Sequence, residues 1–122
     1  MITPFKINIS NKIITDINKK VKNYSWHEMP DDGGWSYGTN LDYMKKISKY
    51  WIDKYDWKKT EKKINKFKNF KTNIEGIDIH FIHERGSGSN TKPLLLSHGW
   101  PGSILEFLHI IDQLAHPEKF GG

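Results

Sequence analysis

The sequence predicts an α/β fold: a helical N-terminal region, a β-hairpin, and then the strand and helix that would begin a parallel sheet. Three observations carry this reading. Apolar residues return at helical spacing through the first half of the chain. A short alternating segment doubles back at Glu75-Gly76. The run "LLLSHGWPGS", residues 94–103, joins an apolar stretch to a glycine–proline turn and a helix start.

Residues 5–10 read as extended. From Ser10 the spacing predicts a helix, because Ile13, Ile14, Ile17, Val21 and Tyr24 recur on one side. "YSWHEMPDDGGWSYGTN" then interrupts the period. Pro30-Asp31-Asp32-Gly33-Gly34 is turn chemistry, and Trp26, Trp35 and Tyr37 are large enough to need a packing partner. They read as anchors of a loop on its own domain rather than as a carbohydrate or ligand platform.

Asn40 or Thr39 can cap a second helix whose apolar side holds Leu41, Met44, Ile47, Trp51 and Tyr55. Asp56 caps a third, with Trp57, Ile64 and Phe67 on one side. Lys58, Lys59, Lys62, Lys63 and Lys66 lie opposite and read as a solvated face rather than a phosphate grip. Residues 70–74 and 77–84 then read as two strands joined by a tight turn. His80 and His83 are three apart on the second strand, so they point to opposite faces and do not suit a shared metal ion.

"ERGSGSNTKP", residues 84–93, is a polar loop. Leu94-Leu95-Leu96 is apolar on both faces, as a strand inside a parallel sheet would be. Ser103 and Glu106 have capping-box spacing, and Ile104, Phe107, Leu108, Ile111, Leu114 and Ala115 continue a wide apolar stripe. Strand, glycine-rich turn and capped helix make the first half of a βαβ unit. Such a turn gathers free backbone N–H groups and suits a phosphate or the oxyanion of a tetrahedral intermediate. It lacks the G-x-x-x-x-G-K-[ST] pattern of a phosphate loop.

Composition narrows the function classes. The chain has 122 residues, 36% hydrophobic and 13% aromatic, which suits one folded domain and not a disordered tail. With no cysteine there is no disulfide framework, thiolate nucleophile or zinc–thiolate site. No apolar run has the length of a membrane span, so the expectation is a soluble, cytoplasmic protein without a membrane anchor. The net charge of +5 comes from lysine, with Arg85 the sole arginine, which is a poor match to nucleic-acid readers.

The motifs carry a resemblance. "SHGWPGS" after an apolar strand resembles the HGxP segment of α/β-hydrolases, and HGWPGS resembles that of microsomal-type epoxide hydrolases. "PFKINIS", "GWSYGTNLDYMKKISKYWIDKYDWKK" and "FKTNIEGIDIHFIHER" are similar to the N-terminal region of the same family. The four blocks stand in the family's order and run from Pro4 to about Leu114.

The resemblance implies an epoxide hydrolase N-terminal helical strap over residues 1–67 and the start of an α/β-hydrolase domain over residues 68–122. Residues 70–84 would supply two strands, 94–97 a third, and 103–115 the helix after it. In the family's sheet that third strand lies between two later strands. The implied oxyanion-hole donor is the backbone N–H of Trp100, whose indole would help line the site wall. His98, Gly99, Pro101, Gly102 and Ser103 would shape the loop, His98 as a structural residue and not the base, with a cis Trp100–Pro101 bond. No cofactor or metal is implied.

The family's reaction turns an epoxide and water into a diol through a covalent ester. Its nucleophile elbow, lid tyrosines, acidic partner and catalytic histidine would all lie beyond residue 122. No Gly-x-Asp-x-Gly pattern occurs within the chain, and its one Gly-x-Ser-x-Gly run, Gly34 to Gly38, stands in the aromatic loop before the second helix and not after a strand, so it does not replace the elbow. The chain therefore reads as the N-terminal portion of an epoxide hydrolase, inactive alone: a fragment, a truncated gene product, or one piece of a split enzyme. Its partner would be the remaining hydrolase, and an epoxide the substrate of the whole. The second reading is a non-catalytic module that docks on a separate hydrolase domain or another protein.

Overall fold

The computed structural model describes all residues except 29, 31–33 and 90. The turn expected over residues 30–34 therefore lies largely outside the described residues. The element order is β1 (Ile2–Pro4), α1 (Asn11–Lys22), α2 (Leu41–Lys54), α3 (Trp57–Ile64), β2 (Asn69–Ile74), β3 (Ile77–Ile82) and α4 (Ile111–Ala115), with short 3-10 turns at Ile104–Phe107 and Pro117–Lys119. Two compact units form, one from Asn8–Thr60 and one from Met1–Ile7 with Glu61–Gly122.

In the Asn8–Thr60 unit each helix starts where its cap stands. Ser10 Oγ accepts from the Ile13 N–H at 3.3 Å, and Asn40 Oδ1 accepts from the Tyr43 N–H at 2.9 Å. Asp56 Oδ1 accepts from the Lys58 N–H at 2.9 Å, opening α3. These bonds satisfy donors that a helix cannot satisfy internally. A groove of about 320 Å³ has Val21, Trp26 and Ile52 in its lining. Trp26 is half-buried there and edge-on to Tyr24, while Trp35 leans on Tyr43 at 5.2 Å with most of its surface in water. Lys58 departs from the solvated face expected for it. Its ammonium donates to the Ile9 carbonyl at 2.6 Å, because the extended stretch before α1 leaves carbonyls without helical partners.

The other unit is built on an antiparallel sheet in the order β1-β2-β3. Glu75 (φ 50°) and Gly76 (φ 85°) both take left-handed backbone, as a two-residue hairpin turn requires. Asn73 secures it by accepting from the Gly76 N–H at 3.0 Å. Phe70 and Phe81 stack on one face at 5.7 Å, beside His83. Lys71 and His80 pair on the other face, where both meet the Phe5 ring. The two histidines thus face opposite ways, and no group of three or more His, Asp or Glu among the described residues is placed to hold a metal.

The N-terminal strand was not legible in the sequence. Ile2–Pro4 pairs with Phe70–Thr72, and residues 5–10 run on without regular structure. Phe5 N–H still donates to the Asn69 carbonyl at 2.9 Å, and beyond it a side chain takes over: Asn65 accepts from the Ile7 N–H at 3.0 Å and donates to the Ile7 carbonyl at 2.8 Å. Asn69 does similar work deeper in the unit. Its Nδ2 donates to the carbonyls of Ile64 and Phe67 at 2.9 and 2.7 Å, and its Oδ1 lies 2.8 Å from His80 Nε2. Since the amide nitrogen is committed, Oδ1 must accept, so Nε2 carries the proton.

Two expectations fail at the C-terminal end. Leu94–Ser97 is not a strand, because none of the three strands present pairs with it. A strand exists through its ladder partners, and here Leu95 stays 90% exposed. The expected helix over 103–115 is a 3-10 turn followed by the five-residue α4. Helices draw most of their stability from a buried face, and Leu105 and Leu114 remain exposed. The loop before this segment is tied back by Ser87, whose N–H donates to the Ala115 carbonyl at 3.0 Å and whose hydroxyl donates to Glu118 at 2.7 Å.

Among the described residues Ile64 is the sole buried apolar side chain, beside the buried polar Glu61 and Asn69. The accessible surface is 10434 Å² for 14.3 kDa. A compact monomer of that mass exposes about 6,800 Å², and the same mass divided into two compact globules about 8,200 Å². Leu94, Leu95, Trp35, Tyr37 and Trp100 are among the large apolar side chains left exposed. No helix among the described residues is long and apolar enough to cross a membrane.

Two outcomes follow from this packing. The pure 122-residue chain is expected to self-associate and to lack a sharp cooperative melt; a monodisperse monomer with a sharp transition contradicts the account. Burial pushes the His80 imidazole below its ordinary pKa, and the Lys71 ammonium adds to the effect. Its neutral form is then the one the fold prefers. The contribution to stability is complete above about pH 6.5, the unfolded value, and is lost as pH falls through the lower folded value. An NMR titration should place the His80 midpoint below about 6.5; a midpoint at or above that value contradicts the burial argument.

Candidate functional site

The HGWPGS turn is assembled from its own backbone. Gly102 N–H donates to the Gly99 carbonyl at 2.6 Å, closing a four-residue turn around Trp100 and Pro101. The Trp100–Pro101 bond is cis, the arrangement of a type VI turn. His98 Nδ1 lies 3.2 Å from the same Gly99 oxygen. A carbonyl can only accept, so Nδ1 is the protonated nitrogen in that contact. His98 therefore braces the turn it precedes.

The far side of the turn is fixed by the capping pair that the spacing predicted. Ser103 Oγ accepts from the Leu105 N–H at 3.3 Å, and Glu106 Oε1 accepts from the Ser103 N–H at 3.2 Å. Gly102 is the residue this closure demands. A Cβ there would run into Glu106 Oε1 and come within 2.8 Å of the Gly99 carbonyl oxygen. The requirement is one of space, since Gly102 does not have left-handed backbone.

Counting donors shows what the turn leaves open. Pro101 has no N–H, Gly102 donates to Gly99, and Ser103 donates to Glu106. Among the described residues no acceptor takes the Trp100 N–H. The Trp100 side chain is 98% exposed, so the indole lines no wall within this chain. The structure brings His98, Gly99, Trp100, Pro101, Gly102 and Ser103 into one turn and leaves the consecutive backbone N–H groups of His98, Gly99 and Trp100 without an acceptor among the described residues. It brings no titratable side chain other than His98 and Glu106 into that turn's hydrogen bonds. Glu106 was noticed in the sequence only as a cap; its contact with Gly102 was not legible there.

Comparison with known proteins points the same way. The profile of the family described as "Epoxide hydrolase N terminus" matches residues 2–107. Epoxide hydrolase 1 of Sus scrofa is 42% identical over 124 residues, covering 98% of this chain and 27% of that protein. Juvenile hormone epoxide hydrolase 1 of Ctenocephalides felis is 42% identical over 120 residues, covering 95% of this chain and 26% of that one. The crystal structure of juvenile hormone epoxide hydrolase from the silkworm Bombyx mori superposes with a TM-score of 0.84 at 36% identity, covering 93% of this chain and 28% of that one. The chain thus spans little more than a quarter of the length of these relatives and matches their N-terminal portion. A docking module of another class is not favoured by these matches.

Gly102→Ala tests the closure. Overpacking of this kind costs about 1–3 kcal/mol, so the amides at 102 and 103 should exchange with solvent about tenfold faster or more. Unchanged exchange would mean that the turn does not depend on the space at Gly102.

Proposed function

This chain belongs to the epoxide hydrolase N-terminal family, and on that premise we propose that it supplies the N-terminal portion of an epoxide hydrolase. Residues 1–67 act as the strap of that enzyme, and residues 68–122 begin its α/β-hydrolase domain. The backbone N–H of Trp100 is one donor of the oxyanion hole. The observation that supports this role is the closure of the turn: the N–H groups from 101 to 103 are absent or spent, while that of Trp100, like those of His98 and Gly99 before it, has no acceptor among the described residues.

The chemistry assigns the turn its step. In the family's reaction a carboxylate attacks one epoxide carbon, the C–O bond breaks, and tyrosines of the lid protonate the departing oxygen. Water, activated by a histidine, then adds to the ester carbonyl. The carbonyl oxygen becomes an oxyanion, and a fixed N–H aimed at it lowers that barrier. The nucleophile, the base and the tyrosines are supplied by the remaining length that the relatives have. His98 and the glycines of the turn hold the donor in place; no cofactor or metal enters. We place the protein in the cytoplasm, with an epoxide as substrate of the whole enzyme and no nucleic acid as partner.

The pure 122-residue chain should not open styrene oxide above the buffer rate. A hybrid carrying residues 2–107 in place of the matching stretch of the silkworm enzyme should hydrolyse juvenile hormone, the substrate in that enzyme's name. Turnover by the chain alone, confirmed by intact mass, or a folded but inactive hybrid would overturn the assignment.

A further inference from the structure

Glu106 does two things at once. Its Oε1 accepts from the Ser103 N–H at 3.2 Å, and the same oxygen occupies the space where a side chain on residue 102 would lie. Gly102 and Ser103 carry consecutive backbone donors. The first is fixed on the Gly99 carbonyl at 2.6 Å and the second on Glu106. Two consecutive peptide units are therefore pinned from opposite sides, and the Gly99 carbonyl that receives the Gly102 N–H shares its planar peptide unit with the Trp100 N–H, so the same closure orients that donor.

We propose that Glu106 is a positioning residue for the Trp100 N–H, acting through Ser103 and Gly102 rather than by touching the reacting atoms. This rests on the oxyanion role assigned to Trp100 above. A helix cap alone would explain the Ser103 bond. It would not explain why the capping oxygen and a glycine occupy one another's space beside the turn. Glu106 holds the turn by geometry and not by charge: a carboxylate near a forming oxyanion contributes nothing favourable by its sign, so a neutral acceptor of the same shape serves equally.

The test uses two measurements. In the 122-residue chain, Glu106→Ala should speed amide exchange at Ser103 and shift the Trp100 N–H resonance, and Glu106→Gln should restore both. In the hybrid with the silkworm enzyme, Glu106→Ala should lower kcat about 10²-fold, the scale of a misplaced reacting group. The ester intermediate should accumulate, KM should fall along with kcat so that kcat/KM holds, and Glu106→Gln should recover most of the rate. A folded Glu106→Ala hybrid with unchanged kcat, or one whose kcat/KM falls without accumulation of the ester, overturns the proposal. So does a Gln variant as slow as the Ala variant. An unsubstituted hybrid that folds without activity instead overturns the oxyanion role itself, and the catalytic part of this proposal with it. The exchange data then still decide whether Glu106 holds the turn.

Discussion

The side-chain amide of Asn69 is the point on which the sheet-bearing unit depends. It donates to two carbonyls at the end of α3 and accepts from His80 on β3, while its backbone carbonyl accepts from the Phe5 N–H at 2.9 Å. Helix end, hairpin and N-terminal segment are therefore referred to one residue at the start of β2. Asn69 is buried, so loss of its side-chain amide would leave the Phe67 carbonyl and His80 Nε2 without these partners, at about 1–3 kcal/mol for each unsatisfied polar group, while the Ile64 carbonyl keeps the Phe67 N–H. With Ile64 as the only buried apolar residue described, hydrogen bonds rather than a packed core set this geometry.

The HGWPGS turn and the apolar run before it solve opposite problems. The turn closes on itself through Gly99, Gly102, Ser103 and Glu106, all within eight residues. It needs nothing from elsewhere to present the Trp100 N–H. Leu94–Leu96 has the composition of a strand buried on both faces, yet no ladder reaches it. The relatives are roughly four times as long as the part they share with this chain.

What could be read from the sequence follows that division. Caps and tight turns are written in a few adjacent residues, so Ser10, Asn40, Asp56 and Ser103 were found in place, as was the Glu75-Gly76 hairpin. The turn residues from His98 to Ser103 were legible for the same reason. Pairings that join distant residues leave no local mark. Ile2–Pro4 with β2, Asn65 with Ile7 and Lys58 with Ile9 were all invisible in advance. The strand at 94–97 and the continuous helix at 103–115 failed in another way. Their apolar patterns call for burial, and among the described residues no strand pairs with the first and Leu105 and Leu114 of the second stay exposed.

The central claim is that the turn is preorganised within this chain while the run before it is not. Amide hydrogen exchange on the 122-residue protein separates the two most directly. The account predicts protection at Gly102 and Ser103 and along the β2–β3 hairpin, with free exchange through Leu94–Ser97 and at Trp100. Protection of Leu94–Ser97 equal to that of the hairpin, or free exchange at Gly102 and Ser103, would contradict it.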